Sequence, residues 1–148
     1  MKWTNNIIIN TTIENVWTVL TTEEYSSQTM PNVVESKLIE DKGDVKIYQD
    51  TYKEGNRAET YLLTLTTLSN TNTHKKQQFE FTIANMIATK GTYELEAIDE
   101  NTTSFTYSGE NKGANFIGKI MMTLAKLFAS DKESREYTER VKACAEKL

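Results

Sequence analysis

A single cysteine, a single proline and a single histidine are spread over the 148 residues of this chain. Cys144 therefore has no intramolecular disulfide partner, and such sparse thiol usage fits a reducing compartment. His74 alone cannot build a zinc site of ordinary ligand number, and no Cys-x-x-Cys or His-x-x-x-His accompanies it. It falls in a polar turn beside Lys75 and Lys76 and reads as a surface residue. Excess positive charge is also missing: the formal net charge is −4, which argues against general binding to nucleic acid or anionic membranes. No apolar run approaches the ~20 residues of a transmembrane helix, and Ile7-Ile8-Ile9 is too short for a signal segment. A cytoplasmic protein is expected, so the sequons at Asn10 and Asn101 read as chance matches. Phosphate-binding glycine loops, nucleophile elbows and HExxH motifs are absent, and no cofactor or metal is expected.

The length suits one domain, residues 1–148, able to bury roughly 70% of its unfolded surface without staples. Trp3–Asn10 reads as a strand. Thr11-Thr12-Ile13-Glu14 then matches a capping box, with Thr11 as cap and Glu14 reaching back. Ile13, Val16, Trp17 and Leu20 recur at helical spacing. Thr21-Thr22-Glu23-Glu24 repeats the capping pattern before a second short helix over Glu23–Met30, which Pro31 ends.

Beyond Pro31 the apolar period becomes two. The strands expected are Val33–Glu40, Val45–Tyr52, Arg57–Leu68, His74–Ile83, Ala88–Ile98 and Thr102–Glu110, joined mostly by short turns and therefore antiparallel. Gly113 opens a long proline-free helix reaching Leu148, with a possible bend at Gly118 and a capping pattern at Ser130-Asp131-Lys132-Glu133. Its first half, to Ala129, is apolar over most of its circumference. Its second half keeps only a narrow stripe of Tyr137, Val141, Cys144, Ala145 and Leu148. The fold class expected is α+β, a curved antiparallel sheet of about seven strands wrapped around that helix, with two short helices after the first strand.

Such a wrapped sheet encloses space. Alternation puts Phe79, Phe81, Tyr93, Phe105 and Tyr107 on inward faces, and Phe116, Ile120, Met121 and Leu124 on the helix facing them. These nine are the candidate ligand-binding residues: apolar walls, adaptable methionine and a few placed hydroxyls suit a pocket. The partner expected is a small apolar molecule, the assembly a monomer or homodimer. Glu94 and Glu96 alternate with the apolar face and point outward; no catalytic constellation stands out, and Cys144 reads as an inert buried thiol.

The stretch from Ile9 to Leu20, with Val16-Trp17 in the first helix and Pro31 before the second strand, resembles the opening of the START-like superfamily, also called SRPBCC. Lys90–Leu95 and Thr103–Tyr107 resemble that family's final two strands, and the segment from Gly113 its closing helix. The resemblance implies a helix-grip fold and binding or carrying of a hydrophobic ligand such as a lipid, sterol or polyketide. It also implies two alternatives, a polyketide cyclase or dehydratase and a co-chaperone-like interaction module. It carries over no catalytic residue.

Overall fold

The computed structural model describes residues 2–84, 87–113 and 131–148. Seven antiparallel strands form one sheet: β1 (Lys2–Ile9), β2 (Val33–Asp41), β3 (Val45–Glu54), β4 (Arg57–Asn70), β5 (His74–Ile83), β6 (Ile87–Asp99) and β7 (Thr102–Gly113). Their order is β1-β7-β6-β5-β4-β3-β2, so the six later strands form a continuous meander and the first strand closes on the last. Among the described residues three helices follow the expected order: α1 (Ile13–Thr21), α2 (Ser26–Thr29) behind a 3-10 turn at Glu23–Tyr25, and α3 (Asp131–Ala145). This is the α+β helix-grip architecture. The expected helix before Asp131, including Gly118, lies outside the described residues, while Gly113 ends β7 rather than opening a helix.

Local chemistry shifts some boundaries. The cap of α1 is Thr12, whose hydroxyl accepts from the Asn15 amide at 3.1 Å, one residue later than the sequence pattern suggests. Starting the helix at Ile13 turns Ile13, Val16 and Val19 into the core. It also frees Glu14 to pair with Lys75 Nζ at 3.0 Å instead of reaching back to the cap. Thr22, before the 3-10 turn, makes no side-chain cap. Lys75 itself, although beside a polar turn, is only 3% exposed. It shares the inward parity of Gln77 and Phe79, and its ammonium escapes at the sheet end to Glu14 and Asn70.

The inner face carries the core. Trp3, Ile9, Phe79, Leu95, Phe105 and Tyr107 of the sheet meet Ile13, Val16 and Val19 of α1 and Tyr137, Val141, Cys144 and Ala145 of α3. Leu148, the last residue of the expected stripe, is exposed beyond the end of α3. Polar ties fasten α3 to β1: Asn5 donates to Ser134 Oγ, and Lys142 Nζ donates to the Ile8 carbonyl at 2.7 Å.

One row across the sheet bends the packing. Trp3, Gly109, Gly91, Phe79 and Leu65 stand in register on β1, β7, β6, β5 and β4. The two glycines leave room for the flanking rings, which fold down over them.

Candidate functional site

Between the sheet, the end of α1, α2 and the start of α3 lies a cavity of about 170 Å³. Its exposed lining residues Thr22, Glu23, Pro31 and Asn32 mark a mouth beside the turn that follows α1. Val19, Leu20, Met30, Leu63, Leu65, Phe79 and Phe81 supply apolar wall.

Six of the seven tyrosines of the chain line this space: Tyr48, Tyr52, Tyr61, Tyr93, Tyr107 and Tyr137. At the deep end Tyr93 and Tyr107 stack with ring centroids 5.5 Å apart, and Tyr137 of α3 closes over them at 5.9 and 4.9 Å. Burial, followed by the neighbouring phenols, pushes Tyr93 and Tyr107 well above the ordinary phenol range, and burial raises Tyr137 as well. All three therefore stay neutral hydrogen-bonding groups on an apolar ring, suited to a ligand with a few polar atoms.

At the other end the wall is polar. Asp50 lies on β3 between Tyr48 and Tyr52 on one strand face, directly across from Tyr61 of β4, and is 3% exposed. Ser36 of β2 donates to its Oδ1 at 2.6 Å. Burial raises the Asp50 carboxyl above the usual carboxylate range; the Ser36 bond opposes this and the charge of Glu23 adds to it. Tyr52 is pushed up to about 12 by burial and by its hydrogen bond to Glu54 at 2.9 Å.

Gln77 lines the cavity next to Tyr93 on the paired strand, 6% exposed, and its Oε1 has no hydrogen-bond partner among the described residues. Register places Asp50 level with Tyr61 and Gln77 level with Thr67 of β4. Their backbone positions are thus offset by some six residues along the strand direction. Thr89 adds a hydroxyl that donates to Asn111 Oδ1 at 2.6 Å. Glu133 and Arg140 of α3 complete the lining, joined at 3.1 Å, with Arg140 Nε also donating to the Thr29 carbonyl at 2.8 Å.

Of the nine residues expected around a ligand, Phe79, Phe81, Tyr93 and Tyr107 line the cavity. Phe105 shares their face but is fully buried in the core cluster, away from the lining, because it sits nearer the end of β7 that α1 covers. Phe116, Ile120, Met121 and Leu124 lie outside the described residues. Tyr48, Asp50, Tyr52 and Gln77 line the cavity as well, beyond the nine expected. Period two alone would have placed Asp50 between two tyrosines, and Gln77 on the face of Phe79.

On the outer face, His74 Nε2 meets Glu94 Oε2 at 2.8 Å and its Nδ1 meets Ser69 Oγ at 2.8 Å. Glu96 lies near enough that one ligand-type atom from each of His74, Glu94 and Glu96 falls within 4.8 Å of the others. Cys144 is buried against α2, with Sγ donating to Gln28 Oε1 at 3.6 Å, and burial raises its thiol. No helix among the described residues is long and apolar enough to cross a membrane.

A curved antiparallel sheet whose concave face, covered by helices, encloses a tyrosine-lined cavity defines a protein of the helix-grip class. The chain belongs to the family described as polyketide cyclase / dehydrase and lipid transport, whose model matches residues 1–148. Its fold is similar to that of the Zhui aromatase/cyclase from Streptomyces sp. R1128, with 12% identity, a TM-score of 0.74, and 99% and 94% of the two chains covered. Human STARD10 is similar over 99% of this chain and 64% of its own, at 10% identity and a TM-score of 0.74. A conserved protein from Geobacillus kaustophilus is similar at 16% identity and a TM-score of 0.68, covering 99% and 96%. No curated protein sequence matches the chain.

Proposed function

We propose that this protein binds a small, largely apolar molecule in the cavity between the sheet and the helices, and serves as its carrier or receptor. The observation that carries this reading is the concentration of six of seven tyrosines, with Phe79 and Phe81, around one enclosed space. Tyrosine offers a broad apolar face and a polar tip, the combination that binding sites favour. The volume, about 170 Å³, is on the scale of the ~150 Å³ cavities that admit benzene. A compact molecule of one or two rings fits best. Family membership supports the same reading.

The test is titration with naphthalene, followed by quenching of tyrosine fluorescence, together with native mass spectrometry of gently purified protein. Saturable 1:1 binding that is lost when Leu65→Trp fills the cavity is expected. No saturation, or binding unaffected by Leu65→Trp, would sink the proposal.

A second reading is an enzyme of the cyclase or dehydratase type. It is favoured by phenols held neutral, which can donate to a carbonyl oxygen, and by the buried Asp50 carboxyl, a group able to exchange a proton with a bound molecule. It requires that Tyr93→Phe and Asp50→Asn each lower turnover of a poly-β-ketone substrate. Unchanged turnover in both variants removes it.

A further inference from the structure

We propose that the Asp50 end of the cavity is a recognition site for a protonated amine, so that the ligand is an apolar molecule carrying an ammonium group. This rests on the reading that the cavity takes up an apolar molecule, and adds the charge by which the ligand is selected.

The argument begins with an incomplete electrostatic site. Asp50 is 3% exposed, and among the described residues its carboxylate has one donor, the Ser36 hydroxyl, and no cation within ion-pair distance. An ionised carboxylate offers about four acceptor positions, and burying one unpaired costs several kcal/mol. The single described cation lining the cavity, Arg140, is held by Glu133 and by the Thr29 carbonyl. Among the described lining residues three carboxylates, Glu23, Asp50 and Glu133, face one guanidinium, so the cavity favours positive charge.

The neighbours of Asp50 specify which cation. Tyr48 and Tyr52 flank it along β3 and Tyr61 stands across from it on β4, while Phe81 packs on Tyr61 at 4.8 Å. Aromatic faces attract organic cations, and most strongly where water is excluded. A hard metal ion would need six or more oxygen ligands, which one carboxylate, one hydroxyl and a set of rings do not provide. An ammonium needs an acceptor for its N–H groups and apolar or aromatic surface for its carbon. Asp50 and the three tyrosines provide both. The purely structural alternative, in which Asp50 only ties β3 to β2 through Ser36, would be served equally by asparagine.

The experiment compares 2-phenylethylamine, protonated at pH 7, with its neutral isostere 2-phenylethanol by isothermal titration calorimetry. The wild-type protein is expected to prefer the amine by about tenfold or more. Asp50→Asn, which keeps the Ser36 bond and the shape, is expected to abolish that preference. Tyr61→Leu removes one ring and is expected to weaken it by about threefold, which provides a check if Asp50→Asn folds poorly. Equal affinity for the two molecules overturns the amine assignment but leaves the apolar cavity standing. A preference that survives Asp50→Asn overturns it too. If neither molecule binds while naphthalene does, the amine assignment alone fails. If naphthalene also fails to bind, both readings fall.

Discussion

Gly91 of β6 and Gly109 of β7 stand directly opposite one another, with the Phe79 ring folded over the first and the Trp3 ring over the second. A Cβ on Gly91 would enter the Phe79 ring and come 2.5 Å from the Ser108 carbonyl; one on Gly109 would enter the Trp3 indole and come 2.9 Å from the Lys90 carbonyl. Backbone on one side leaves neither ring a simple escape. Gly91→Ala is therefore expected to cost about 1–3 kcal/mol, and Gly109→Ala a similar amount. Urea unfolding checks this. Because Phe79 lines the cavity, Gly91→Ala should also weaken naphthalene binding, whereas a Gly55→Ala control in an exposed turn should leave binding untouched.

Phe105 and Phe81 separate core from cavity. Phe105 is 0% exposed and packed on every side, so Phe105→Ala is expected to cost about 3–5 kcal/mol. Phe81 is half-buried and faces space that is already open, so Phe81→Ala should cost clearly less while weakening the naphthalene complex. Equal losses of stability for the two variants would contradict the division.

Asp50 should make the protein less stable at neutral pH than an asparagine in its place. Its carboxyl is raised above the ordinary value of 3.8, so the folded state holds its proton more tightly than the unfolded state. The resulting stabilisation is complete below pH 3.8 and is lost as pH rises through the folded-state value. Asp50→Asn is therefore expected to raise Tm at pH 7, with the gain shrinking as pH falls below 4. Thermal melts followed by circular dichroism at both pH values test the sign.

Alkali should unfold the protein through its tyrosines. Tyr52, raised to about 12, and Tyr61, Tyr93, Tyr107 and Tyr137, also raised, stay protonated in the folded state where the unfolded chain ionises. Their stabilising contribution is complete below pH 10 and is lost as pH rises above it, by up to about 1.4 kcal/mol per pH unit for each group. Ultraviolet titration should show most phenolate appearing in one cooperative step that coincides with loss of the far-ultraviolet signal. Gradual, independent ionisation in the folded protein would contradict it.

Much of the architecture was legible because strand period and turn chemistry agree. Gly43 and Gly55 adopt the positive φ their turns require, and all seven expected strands form, His74–Ile83 with both ends as expected and the other six with one or both ends moved by one to three residues. The Thr11 cap was misplaced because two threonines in succession offer equivalent hydroxyls, and only the orientation of Ile13 and Val16 into the core decides between them. Burial of Lys75 was invisible because a lysine beside a polar turn reads as solvent whichever face it occupies; its escape route to Glu14 exists only once α1 is docked. The polar half of the cavity was missed for a related reason. A search for inward apolar residues passes over Asp50 and Gln77, although both occupy inward positions of their strands.

The attachment of α3 to β1 has a kinetic consequence. Asn5 to Ser134, Ile8 to Lys142 and Asn10 to Glu146 join residues 129, 134 and 136 positions apart. Contacts of that span carry the largest loop-closure cost and slow folding. The β-meander from β2 to β7 can zip through neighbouring hairpins, yet its concave aromatic face stays open to water until the two distant segments meet. Escape from aggregation during folding is thus decided by how soon α3 is captured, and a mutation that loosens the Asn5–Ser134 tie should show itself first in refolding yield.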